Sequence, residues 1–268
     1  MAKTAAKQKP VAKPVRPPVH ILNFGDPGAG KTTFAATFPT PGMVFSFDAY
    51  GKDAPFLRLG EEREEPEEME DGTIAREVFS RETGELLWRI EYYGETDPES
   101  PSAYTRYLNA MHYFNKEERK KWATCVVDSV TSMAMCARNQ SEYKLNKGAK
   151  EPRQHYAYAA KQVEQQLVQR FPNFLMNVIA IAHVSEEKDD VHGYFLRNPS
   201  FPGKLRRAAG GQYTEVYRSY YERATKDEPE GYFLQTREGG GFNCMSGMLE
   251  APDPCVASYD AIWENYRG

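Results

Sequence analysis

Apolar residues along this 268-residue chain fall into short runs divided by polar stretches bearing Gly and Pro, a spacing that predicts strands alternating with helices. Residues 20–24 read as a buried strand, residues 32–38 open a helix, and residues 42–48 form a second strand. The pattern then breaks. Residues 51–121 read as an insertion, with a β-hairpin at 73–80 and 85–92 and an aromatic-rich helix over 101–114. The core resumes with a strand over 122–128 and helices around 130–145 and 155–171, the latter with Ala159, Val163, Leu167 and Val168 as its apolar positions. Residues 174–183 are apolar enough for a central strand. A polar loop to about residue 204 follows, then strand-like alternation at 213–222 and 231–236, with residues 239–241 as a Gly turn or link. The expected fold is α/β: a mainly parallel sheet with helices on both faces, late antiparallel strands and an inserted α+β segment. One domain over 20–268 would carry it, behind a tail at 1–19.

Composition changes this picture little. Hydrophobic content of 40% supports a core, and no apolar run reaches the ~20 residues of a membrane span. The N-terminus lacks a signal-peptide pattern, so the expected location is the cytoplasm, with no membrane partner. Cys125, Cys136, Cys244 and Cys255 have neither disulfide nor zinc spacing and read as reduced thiols. The net charge of −4 hides an asymmetry: the tail carries Lys3, Lys7, Lys9, Lys13 and Arg16 without an acid, whereas 61–71 holds eight acids against one base. The tail suits either contact with nucleic acid or a neighbouring subunit, or simple solvation; the acidic run is expected to be a mobile loop.

The candidate chemistry lies between the first strand and the first helix. Gly25, Asp26, Pro27, Gly28, Ala29, Gly30, Lys31 and Thr32 complete a G-x-x-x-x-G-K-[ST] phosphate-binding loop, followed by Thr33. Glycines let the backbone N–H groups close on the phosphates of ATP, Lys31 would reach the β- and γ-phosphates, and the Thr32 hydroxyl would ligate Mg²⁺. The acid ending the strand at 122–128, Asp128, is the expected Mg²⁺ partner. Lys31, Asp128 and the strand-end His183 are the candidate catalytic residues. Between 184 and 207, Tyr194, Phe195, Arg197, Lys204, Arg206 and Arg207 interleave rings with positive charge, as a single-strand DNA site would. A short hairpin with Tyr194 and Phe195 packed inward fits the same segment equally well, given Glu186, Glu187, Asp189 and Asp190. Lys204, Arg206 and Arg207 also suit trans-acting contacts to a neighbour's nucleotide.

On residues 25–33, Cys125 to Thr131, Val178 to Lys188 and Phe201 to Lys204, the chain resembles phage-encoded ATP-binding proteins with a RecA-like core, including phage single-strand annealing ATPases. The resemblance implies ATP-dependent single-stranded DNA binding and annealing in homologous recombination, a ring or filament of identical subunits, and a single-strand binding protein as a further partner. One departure bears on hydrolysis. RecA-like proteins commonly carry a water-orienting glutamate just after the second strand, where this chain has Tyr50, a poor base at neutral pH. Asp48 and Asp53 are the available substitutes. A nucleotide-dependent regulatory or assembly protein acting on a protein partner without DNA is the competing reading.

Overall fold

The computed structural model describes residues 16–48, 51–95, 97–148, 151–188, 193, 195–203, 205, 209–224 and 230–266. The phosphate-loop strand β1 (His20–Gly25) leads into a short helix α1 (Lys31–Ala35) and then β2 (Gly42–Ser46). A short helix α2 (Ala54–Leu57) precedes the edge strands β3 (Glu61–Glu62) and β4 (Glu67–Glu68) and the hairpin of β5 (Ile74–Phe79) with β6 (Leu86–Tyr92). Helices α3 (Ala103–Tyr113) and α4 (Lys116–Arg119) lead to β7 (Thr124–Asp128), α5 (Val130–Gln140) and α6 (Pro152–Glu164). The remaining strands are β8 (Asn177–Lys188), β9 (Phe195–Pro199), β10 (Glu215–Glu222), β11 (Gly231–Gln235), β12 (Met245–Ser246) and β13 (Cys255–Val256), with a final helix α7 (Tyr259–Ile262).

The centre of the sheet runs β10-β1-β8-β7-β2-β6 with every neighbouring pair parallel. β8 therefore separates the phosphate-loop strand from the strand ending in Asp128. The central strands are buried on both faces, and successive residues alternate between two clusters. Leu22, Phe24, Cys125, Val127, Val178 and Ala180 enter one apolar cluster, while Ile21, Val126, Ile179 and Ile181 enter the other. Each face thus needs its own cover. α3, α5 and α6 supply residues to the first cluster, and α1, α2 and α7 to the second.

The segment 51–121, expected as an insertion, contributes β6 to the central sheet beside β2 and docks α3 on an aromatic cluster in which Tyr107 lies 5.0 Å from Phe47 and 5.7 Å from Phe45. The acidic run, expected as a loop, is instead strand, and the segment that suited either a loop or a short hairpin forms a hairpin. Within the acidic run, β3 and β4 pair with β5; Arg76 on β5 pairs with Glu62, and Arg89 on β6 lies 3.7 Å from Glu67. Charged residues suit such a sheet edge. Residues 184–188 continue β8 and pair antiparallel with β9, from Val184↔Pro199 to Lys188↔Phe195. The four cysteines are buried and free of disulfides. Among the described residues no helix is long and apolar enough to cross a membrane.

Candidate functional site

Parallel pairing brings the carboxyl ends of β1, β8, β7 and β2 to one edge of the sheet, where open α/β sheets bind ligands. In register, Gly25 lies beside His183, and Ser46 beside Asp128. Between these ends opens a cleft of about 300 Å³ whose lining includes Gly28, Gly30, Lys31, Thr32, Asp48, Lys52, Asp128, His183 and Tyr232. Of the residues expected from the sequence, Pro27, Gly28, Gly30, Lys31, Thr32, Thr33, Asp128 and His183 meet here; the Asp26 carbonyl accepts from Lys31, and Ala29 is buried. Gly25 must be a glycine because a Cβ there would come within 2.4 Å of the Ser219 carbonyl oxygen.

Lys31 is almost wholly buried, and its ammonium donates to the carbonyls of Gly25 at 3.0 Å and Asp26 at 2.7 Å. Burial lowers its pKa, opposed by Asp128, Asp48 and Asp26. The Thr32 hydroxyl donates to Asp128 Oδ2 at 2.6 Å. Burial pushes the Asp128 carboxyl up to about 6; the Thr32 hydrogen bond and Lys31 resist the rise, and the nearby Asp48 charge adds to it. This hydroxyl–carboxylate pair beside the phosphate loop offers hard oxygen donors with water and phosphate left to complete the shell, which fits Mg²⁺.

Asp48 sits beyond the end of β2 and accepts from the hydroxyls of Ser132 at 2.6 Å and Ser129 at 3.1 Å, with Lys52 at 3.5 Å. Burial favours its neutral form, but the Ser132 and Ser129 hydrogen bonds and the Lys52 charge prevail and hold the carboxyl below its ordinary range. Asp53, the other substitute for the missing glutamate, is buried away from this lining, receiving the Tyr92 hydroxyl and lying 3.6 Å from Arg76. Tyr50 lies outside the described residues. His183 is half-buried, and burial, aided by Lys31, lowers its pKa. Its N–H donates to Thr131 Oγ1 at 3.0 Å, and its carbonyl accepts from the Ser200 N–H at 2.7 Å.

The segment expected to contact DNA is divided. The hairpin reading holds for the backbone, since β8 and β9 pair antiparallel, but Phe195 is 47% exposed rather than packed inward. Arg197 is engaged within the protein, paired with Glu186 at 2.8 Å, bonded to the Gly240 carbonyl at 3.1 Å and lying over the Phe242 ring. Tyr194, Lys204, Arg206 and Arg207 lie outside the described residues. Sequence reasoning missed Lys52 and Tyr232. Lys52 stands four residues beyond Asp48, a spacing that gives a weak signal, whereas the pairing of β11 with β10 brings Tyr232 near the loop.

Comparison with known proteins supplies the family. Residues 18–242 match the AAA domain family. No curated protein sequence matches the chain. Among solved structures, a KaiC-like protein from Pyrococcus horikoshii is 15% identical with a TM-score of 0.39, covering 83% of this chain and 80% of that one. The flagellar accessory protein FlaH from Methanocaldococcus jannaschii is 10% identical with a TM-score of 0.40, covering 86% and 88%. An ATPase from the type III secretion system of pathogenic bacteria is 15% identical with a TM-score of 0.43, covering 79% of this chain and 53% of its own. The architecture rests on the strand order rather than on these likenesses.

Proposed function

Because the chain belongs to the AAA domain family of P-loop ATPases, we propose that it binds and hydrolyses ATP with Mg²⁺ in this cleft and uses the nucleotide to control single-stranded DNA binding and annealing. The convergence of Lys31, the Thr32–Asp128 pair, Asp48 and His183 on one cleft carries the reading. The protein would act in the cytoplasm of a phage's host as a ring or filament of identical subunits, alongside a single-strand binding protein.

Each residue has a part. Lys31 exchanges the carbonyls of Gly25 and Asp26 for the β- and γ-phosphates, and the backbone from Gly25 to Thr33 encloses them. Thr32 and Asp128 hold Mg²⁺, which when bound neutralises phosphate charge. Asp48, fixed by Ser129 and Ser132, orients the attacking water. A carboxylate with a depressed pKa is a weak proton acceptor, so its contribution is orientation rather than full abstraction. Lys52 meets the terminal phosphate from within the same chain. His183, neutral near pH 7, donates to that phosphate, and its backbone bonds to Thr131 and Ser200 carry the state of the site toward the β8–β9 hairpin.

The Asp128 pKa sets a pH dependence. Mg²⁺ needs the carboxylate and competes with its proton, so Mg²⁺-dependent nucleotide affinity is full above about pH 7 and falls about tenfold by pH 5. Calorimetric titration of wild type and Asp128→Asn measures this, the variant lacking the part of the pH dependence that this carboxyl contributes. Identical pH profiles for the two proteins would contradict the assignment.

For DNA, the exposed Phe195 ring on the hairpin that extends from His183 supports the annealing reading. The pairing of Arg197 with Glu186 favours the second reading, a nucleotide switch acting on a protein partner. Anisotropy of a labelled single strand, with and without ATP–Mg²⁺, separates them. The annealing reading expects binding only with nucleotide and a steep loss with added salt, as counterion release dictates. Absence of nucleotide-dependent binding at low salt would leave the protein-partner switch.

A further inference from the structure

Beside the phosphate loop the lining of the cleft includes one aromatic side chain. Tyr232, on β11, lines the cleft with its ring against the Cα of Gly30: a Cβ at Gly30 would fall 2.4 Å from the Tyr232 Cδ1 atom. Gly30 also has φ +81°, a left-handed conformation, so this position is restricted twice, by its backbone and by the ring. The ring is not core filling, because 38% of the residue stays exposed beside the phosphate loop. Its position is fixed from behind. Tyr232 pairs with Tyr221 across the β10–β11 ladder, their ring centroids lie 5.4 Å apart, and the Tyr221 hydroxyl donates to Glu230 at 2.9 Å. The Tyr232 carbonyl accepts from the Ala257 N–H at 3.0 Å, which ties this strand to the C-terminal segment.

A flat, part-exposed ring held beside a triphosphate site has the chemistry to receive a nucleobase. Resting on the nucleotide reading given above, we propose that Tyr232 is the stacking platform for the base of the bound nucleoside triphosphate, with Tyr221 as its positioning residue. Stacking follows ring area, so the platform favours a purine over a pyrimidine. It adds affinity that a bare polyphosphate chain cannot obtain.

The test is calorimetric titration of the full chain with ATP, UTP and inorganic tripolyphosphate, each with Mg²⁺, using wild type, Tyr232→Ala and Tyr232→Phe. Wild type should bind ATP about tenfold or more tightly than tripolyphosphate, with UTP between them. Tyr232→Ala should lose about tenfold in ATP affinity while its tripolyphosphate affinity stays within about twofold, and Tyr232→Phe should behave as wild type. Wild-type affinity of Tyr232→Ala for both ligands would overturn the platform and leave the phosphate site intact. Equal loss of both ligands would overturn it too, since the ring would then be a prop for the loop. Failure of wild type to bind either ligand would remove the nucleotide reading itself, and this inference with it.

Discussion

Lys31→Ala should bind ATP about 100-fold or more weakly than wild type and lose nucleotide-dependent binding of single-stranded DNA at the same time. The size follows from the bonds removed. Two charge-assisted hydrogen bonds to phosphate oxygens, each worth about 1.5–3 kcal/mol, give a combined loss of at least two powers of ten. The electrostatics act in the same direction. Lys31 is the buried cation that offsets Asp128 and Asp48, and without it the cleft presents two carboxyl groups to a polyanion. Calorimetry with ATP–Mg²⁺ measures the first loss and anisotropy of a labelled single strand the second. Wild-type DNA affinity in a variant that no longer binds ATP would break the coupling between the two sites.

Asp48→Asn should separate binding from chemistry. The amide preserves the shape of the side chain and an acceptor for Ser129 and Ser132, so ATP affinity should stay within about threefold of wild type. Turnover should fall about 100-fold, the usual scale of a positioned group that orients or deprotonates the nucleophile. Steady-state phosphate release at saturating ATP provides the rate. Turnover within a few-fold of wild type would show that water is oriented by another group. Asp53 is poorly placed for that role, because the Tyr92 hydroxyl and Arg76 already occupy its buried carboxylate.

The residues legible in the sequence are those whose roles are set by local chain order. The phosphate loop needs only a strand, eight residues and a helix, and residues 20–38 contain all three in sequence. Asp128 could be read because an apolar run leading into a single acid is itself a local signal, and the hairpin of β5 with β6 was marked by its turn at Arg81 to Gly84. Residues assembled by distant pairing were harder. Asp48 was visible only as a substitute for a missing glutamate; the register of Ser46 beside Asp128 is what puts it in the cleft. Tyr232 has no neighbouring sequence signal, since it reaches Gly30 through the antiparallel addition of β11 to β10.

The acidic run was misread as a loop, while the hairpin of β8 with β9 was one of two readings open for its segment; in both, the opposing charge comes from outside the acidic residues or from across the hairpin. Arg76 answers Glu62, Arg89 answers Glu67, and Arg197 answers Glu186. A strand of acids at a sheet edge is stable once the neighbouring strand presents cations, and that neighbour cannot be identified from the acidic run alone.

The most direct test of the central claim is the rate of ATP turnover by the purified protein with and without single-stranded DNA, using Lys31→Ala as the blank. The account predicts measurable turnover in wild type that rises on addition of the single strand, and none above background in the variant. Tight ATP binding with no turnover in either condition would contradict it.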